Sequence, residues 1–152
     1  MFGNAGIYDN AKVDGNAKVF GNTILHDNSH VSGNAVVLSK ARMYGNASVS
    51  GNVQIRGSVC LYANAYVSGH TFLSSCADIG NITDYITVSG MYKESFETFF
   101  RCRDREIRGI GKYSSIYDPL TLTEIRKNAM LEGDLEYAML CELVEKRFLQ
   151  NR

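Results

Sequence analysis

The sequence predicts a mainly β protein: a parallel β-helix of about four rungs, then a small α+β C-terminal region with a hairpin and two helices. Three observations predict it. An aliphatic residue stands at every sixth position from Ile7 through Val13, Val19 and Leu25 to Ile79, thirteen times without a miss. A Gly-Asn or Asp-Asn pair separates most units, as at Gly15-Asn16, Asp27-Asn28 and Gly51-Asn52. The texture then changes near Asn81, for residues 1–81 carry five basic and four acidic side chains and residues 82–152 carry eleven and twelve.

A period of six fits neither the 3.6 of a helix nor a long strand. It fits a short strand followed by a sharp bend. In Ala11-Lys12-Val13-Asp14 the small residue and Val13 point one way, and Lys12 and Asp14 the other. Gly15-Asn16 then turns the chain, because both residue types tolerate positive φ. Three such units close a triangle of 18 residues, and the next triangle stacks on it. Asparagines fall in columns 18 apart, one of them Asn10, Asn28, Asn46 and Asn64, suited to amide ladders. At about 4.8 Å per rung the prism is roughly 20 Å tall.

The spacing resembles the hexapeptide repeat of the left-handed β-helix, over residues 3–81. Glycine sits one place later than in the usual pattern, while the aliphatic and small positions keep theirs. Handedness is implied by this resemblance and not by the hexad itself.

Function on a solenoid lies in what points outward. One wall, from Lys12 and Asp14 to Tyr66 and Ser68, reads as solvated. A second displays Phe20, Val36, Leu38 and Phe72, an apolar group expected to pack against the C-terminal region or another copy of the chain. The third displays a column of Tyr8, His26, Tyr44 and Tyr62 beside Arg42. Tyrosine and arginine suit interfaces, though an aromatic column also stabilises a sheet by stacking.

Beyond Ile79, Tyr85–Ser89 reads as a strand. Ser95–Cys102 and Glu106–Tyr113 read as a hairpin turning near Asp104. Arg101, Arg103 and Arg105 gather there with Arg108 and Lys112. Glu97, Asp104 and Glu106 interleave with them, which favours a solvated tip over a grip on a phosphate or an acidic partner, and Arg101, Arg103 and Arg105 stand with the aromatic column as partner-binding candidates. Thr121-Leu-Thr-Glu124 forms a capping box opening a helix to about Met130. A second helix runs from near Asp134 to about Leu149. Its apolar set Leu135, Ala138, Met139, Cys141, Leu143, Val144 and Phe148 reads as core. The region 82–152 is expected to cap the open end of prism 1–81, because an uncovered parallel edge invites aggregation.

Sixteen basic and sixteen acidic residues balance, which argues against direct binding to nucleic acid or membrane. No signal peptide or membrane-spanning run is visible, so a cytoplasmic location is expected. Cys60, Cys76, Cys102 and Cys141 lack the close pairs of a zinc site and read as reduced thiols.

Many hexapeptide β-helices are acyltransferases. That resemblance implies a histidine base at a subunit interface and a loop extruded from the prism. Here His26, His30 and His70 are the candidates, yet all thirteen hexads are uninterrupted. A zinc site of the γ-type carbonic anhydrases is disfavoured because His26 and His30 straddle a corner. No catalytic residue, metal or cofactor is therefore expected.

The order of repeats and tail also resembles bacterial and phage proteins described as polymer-forming. A short solenoid with no loops, a tyrosine-arginine face and an apolar face is expected to be a non-enzymatic, rigid protein-binding module and a homo-oligomer. A concrete version is a phage or mobile-element inhibitor of a host defence nuclease complex (anti-CRISPR-like), acting by steric blockade. A small acyltransferase and a self-assembling structural protein are the alternatives.

Overall fold

The computed structural model describes residues 3–89 and 96–150. The hexads form thirteen strands of two residues each. In chain order these are β1 (Gly6–Ile7), β2 (Lys12–Val13), β3 (Lys18–Val19), β4 (Ile24–Leu25), β5 (His30–Val31) and β6 (Val36–Val37). They continue with β7 (Arg42–Met43), β8 (Ser48–Val49), β9 (Gln54–Ile55), β10 (Cys60–Leu61), β11 (Tyr66–Val67), β12 (Phe72–Leu73) and β13 (Asp78–Ile79). Every third strand shares a wall. The three parallel sheets run β1-β4-β7-β10-β13, β2-β5-β8-β11 and β3-β6-β9-β12.

The register is 18 residues throughout, with Ile7 paired to Leu25, Val13 to Val31 and Val19 to Val37. Amides one rung apart carry the wiring, for instance the Gly6 N–H donating to the Thr23 carbonyl at 2.9 Å. The corners turn at positive φ. Glycine fills most of them because it takes positive φ without steric cost, and a Cβ on Gly33 would stand 2.7 Å from the Gly51 nitrogen; Asp9, Asp27, Ser39, Ala63 and Ser75 make the same turn with side chains.

Inside the prism the aliphatic series from Val19 to Ile79 is buried to 1% exposure or less. Each such side chain contributes roughly 1.5–3 kcal/mol before chain entropy is subtracted. The first rung departs from the expected interior: Ile7 is 36% exposed and Val13 half-buried, because they lie at the end of the stack. Thr23 and Thr71 hide their hydroxyls by donating to the Phe20 and Ser68 carbonyls at 2.7 and 2.8 Å. Ser29 does not; its buried hydroxyl has no partner among the described residues.

Outside, the amide ladders form as the columns predict. Asn10 donates to Asn28, Asn28 to Asn46 and Asn46 to Asn64 at 3.2–3.3 Å. The second ladder runs Asn16–Asn34–Asn52 and ends on His70 at 3.4 Å.

After a 3-10 turn at Ile82–Asp84, an antiparallel sheet forms from β14 (Tyr85–Ser89), β15 (Phe96–Arg101), β16 (Ile107–Ile110) and β17 (Leu120–Thr121). Ser95, the expected start of the hairpin, lies outside the described residues. The sheet lies on the last rung. Ala77 bridges to Cys102, the Phe72 amide donates to Thr98 Oγ1 at 3.2 Å, and Phe96 stacks on His70 at 4.3 Å. Phe100, Cys102 and Ile110 thereby join the prism core.

Helices α1 (Leu122–Leu131) and α2 (Leu135–Gln150) cover the far side of the sheet around Phe99. Thr121 caps α1 by accepting from the Glu124 amide, and Asp134 accepts from the Tyr137 amide at the start of α2. One expectation fails. Ala138, Cys141, Val144 and Phe148 are buried, but Leu135, Met139 and Leu143 are 64, 63 and 62% exposed. The seven apolar positions span too wide an arc for one packing face, and Tyr137 occupies the core in their place.

Candidate functional site

The third wall presents the aromatic column. Residues 18 apart stand one rung above another, so rings at the same strand position must meet face to face. His26 and Tyr44 stack at 5.4 Å between ring centres and 7° between planes, and Tyr44 and Tyr62 at 5.6 Å and 15°. Glycines border this column. The Tyr8 ring folds over Gly6, where a Cβ would lie 2.6 Å from it, and the Tyr62 ring covers Gly80 at the same clearance. Tyr8 is 57% exposed and stands at the open end of the wall.

Beside the rings runs a second column, Ile24, Arg42, Cys60 and Asp78, paired strand to strand. Arg42 is exposed. From the cap, Arg103 reaches down this column, donating to the Ser58 carbonyl and to Cys60 Sγ at 3.1 Å. Burial first, then the negative charge of Asp78, raises the hydroxyl pKa of Tyr62. Burial also leads the upward shift at Tyr44, followed by Cys60 and Asp78. Asp78 itself is raised by burial and by Asp84, against the pull of Arg103. Tyr44 and Tyr62 therefore stand as protonated hydrogen-bond donors at neutral pH.

His26 Nδ1 lies 3.3 Å from Asp27, and Asp9 completes a group whose ligand atoms lie within 4.8 Å of one another. All three are at least partly exposed, and Asp27 already accepts from the Gly45 amide at 2.9 Å. That bond, with His26 second, lowers the Asp27 pKa. His30 bonds Asp14 at 2.8 Å on the neighbouring wall, and His70, itself exposed, stacks on Phe96 of the cap. The three histidines do not converge.

The hairpin arginines have separate fates. Arg101 is an internal strut, pairing with Asp84 at 3.2 Å, donating to the Phe148 carbonyl at 2.8 Å and lying over the Phe148 ring. Arg103 is the arm described above. Arg105 is exposed at φ +68° and borders an open cleft of about 340 Å³ with Arg126, Glu145 and Phe148. Glu97, expected in the solvated tip, is wholly buried. It accepts from Tyr137 Oη at 2.6 Å and from the Lys112 amide at 2.9 Å. Strand alternation accounts for this, since β15 turns Glu97 and Phe99 to the helices and Thr98 and Phe100 to the prism.

On the apolar wall, Phe72 packs with the prism core, while Phe20, Val36 and Leu38 are half-buried. Part of the expected cover is the 111–118 loop: Ile116 packs on the prism core and Tyr117 lies against Arg56 at 4.7 Å.

Sequence reasoning missed Asp78, Asp84 and Arg103 as one connected set with the tyrosines. Asp78 was legible as a wall residue from its spacing. The reach of Arg103 was not, because it depends on how the cap docks.

No family model, curated protein or solved structure matches this chain. Among the described residues no helix is long and apolar enough to cross a membrane.

Proposed function

We propose that this chain is a non-enzymatic, rigid protein-binding module that docks through its aromatic wall. The observation that carries the reading is the stacked His26–Tyr44–Tyr62 column, flanked by Arg42 and continued onto the cap by Arg103. Stacked rings on a hydrogen-bonded solenoid have little rotamer freedom left to lose on binding. Tyrosine and arginine together supply the area and polar handles of interface hot spots. Unbroken hexads support a non-catalytic role, since they spare no residue for an acyl-donor loop.

The specific form follows the resemblance to phage proteins. The chain is a phage or mobile-element inhibitor that acts in the bacterial cytoplasm. It sits on a nucleic-acid-binding defence complex and blocks it sterically. Its balanced charge supports shape-based blockade over imitation of nucleic acid. In the test, purified chain is titrated into DNA cleavage by CRISPR effector complexes. Inhibition should weaken by about tenfold or more in Tyr44→Ala with Tyr62→Ala. Transfer of acetyl from acetyl-CoA to a small amine, lost in His26→Ala or His70→Ala, would establish the acyltransferase instead.

Homo-oligomerisation is part of the proposal, and two apolar areas could serve it. The Phe20–Leu38 wall is half-covered, whereas Leu135, Met139 and Leu143 repeat at four-residue spacing along the outer face of α2. Met130 and Leu131 are further exposed apolar side chains, at the end of α1.

A further inference from the structure

Cys76 and Cys102 are 26 residues apart in sequence and belong to different parts of the fold. Cys76 sits at the last corner of the prism, and Cys102 follows β15 in the cap. Docking brings their sulfurs, with a carboxylate oxygen of Asp104, within 4.8 Å of one another. Both backbones are pinned. Ala77 bridges to Cys102, the Arg103 amide donates to the Cys76 carbonyl at 3.1 Å, and the Cys102 amide donates to the Glu106 carbonyl at 3.0 Å. Cys76 is half-exposed and Cys102 is buried at 4%.

The surrounding charges discriminate between two uses of such a cluster. A thiophilic cation would need Asp104 as third ligand, but Asp104 is held by Arg108 at 3.3 Å and by the Glu106 amide at 3.0 Å. Burial first, and then the Cys76 sulfur, push the Cys102 thiol upward, while the charge of Arg108, paired to Asp104, favours its thiolate. A fixed cation beside the sulfurs repels a metal ion and stabilises a transient thiolate.

We propose that Cys76 and Cys102 are a site of reversible oxidation by low-molecular-weight disulfides, closing a bond that welds the prism to its cap. The half-exposed Cys76, as its thiolate, attacks one sulfur of oxidised glutathione, forming a mixed disulfide and releasing one glutathione thiolate. Cys102, after giving up its proton to solvent, attacks the Cys76 sulfur and expels the second glutathione. Two protein thiols and one glutathione disulfide become one protein disulfide and two glutathione thiols, so hydrogen and electrons balance. Cys141 lies in the separate helical core and does not compete for Cys76.

The experiment exposes the full chain to glutathione redox buffers and follows it by intact mass, peptide mapping and melting. Wild-type protein should lose two hydrogens, yield one cross-linked peptide pair containing Cys76 and Cys102, and melt about 5–10 °C higher than when reduced. Cys102→Ser should stop at a glutathione adduct on Cys76, and Cys76→Ser should acquire neither adduct nor cross-link at Cys102. A wild-type protein that retains the glutathione adduct, or links other cysteines, overturns the proposal. So does stoichiometric Cd²⁺ uptake by the reduced chain, with thiolate charge-transfer absorption lost in Cys76→Ser. The wild-type peptide map decides the matter even if a serine variant fails to fold.

Discussion

Single side chains show where this fold carries unspent stability. Ser29 occupies a column in which Ala11, Ala47 and Ala65 stand at the same position, and its hydroxyl is buried without a partner. Ser29→Ala should stabilise by about 1 kcal/mol, because it removes a desolvated polar group and opens almost no cavity; urea unfolding measures it. Gly111 presents the opposite case. A Cβ there would lie 1.3 Å from Glu97 Oε2, which Tyr137 also holds. Gly111→Ala should cost about 2–4 kcal/mol by breaking that buried network, with a lower denaturation midpoint as the readout. Asp78 contributes a pH dependence of definite sign. Its folded pKa is raised above 3.8, chiefly by burial. Below pH 3.8 both folded and unfolded forms are protonated and nothing is lost; above it the unfolded carboxyl ionises first, so folding becomes costlier as pH rises through the folded value. Asp78→Asn should therefore melt higher than wild type at pH 7, with the gap closing as pH falls below about 4.

At the level of elements, the solenoid strands were legible to the residue because each hexad states its own inward side chain and its own corner. The helices were legible in extent and less so in facing. Thr121 and Glu124 open α1 through half of a capping box, the Thr121 hydroxyl accepting the Glu124 amide and donating to Glu124 Oε1, and Gly133 follows the helix end at φ +73°. The apolar set of α2 could not say which members face inward, since that depends on where the sheet lies. Tyr137 won a core position through its bond to Glu97, and Leu135, Met139 and Leu143 were left outside. If that outer face joins copies of the chain, Met139→Glu with Leu143→Glu should shift the protein to monomer in light scattering without lowering its melting temperature. An unchanged mass would place self-association elsewhere or remove it.

Across the whole molecule, the cap covers one end of the prism and brings a polar arm onto the aromatic wall. Which region would do so was legible from the abrupt rise in charge after Asn81. How it docks was not, because a prism end carries no sequence signal beyond the end of the repeat. A truncated chain ending at residue 81 exposes the backbone edges of β11, β12 and β13 together with Leu73 and Ile79. It should aggregate on concentration, as light scattering would record, while the full chain stays dispersed under the same conditions. The candidate site divides in the same way. The Tyr44–Tyr62 column follows from counting by eighteen, and its extension through Arg103 emerges only with the cap in place.

The corner glycines carry an engineering consequence. Gly15, Gly33 and Gly51 each abut the backbone of the rung above, but nothing stands within 4 Å of the Cβ direction at Gly69. Foreign peptide grafted at the lower bends would have to pry two turns apart. At Gly69 it would leave into water, making that bend the attachment point on the prism for an affinity handle or fluorophore.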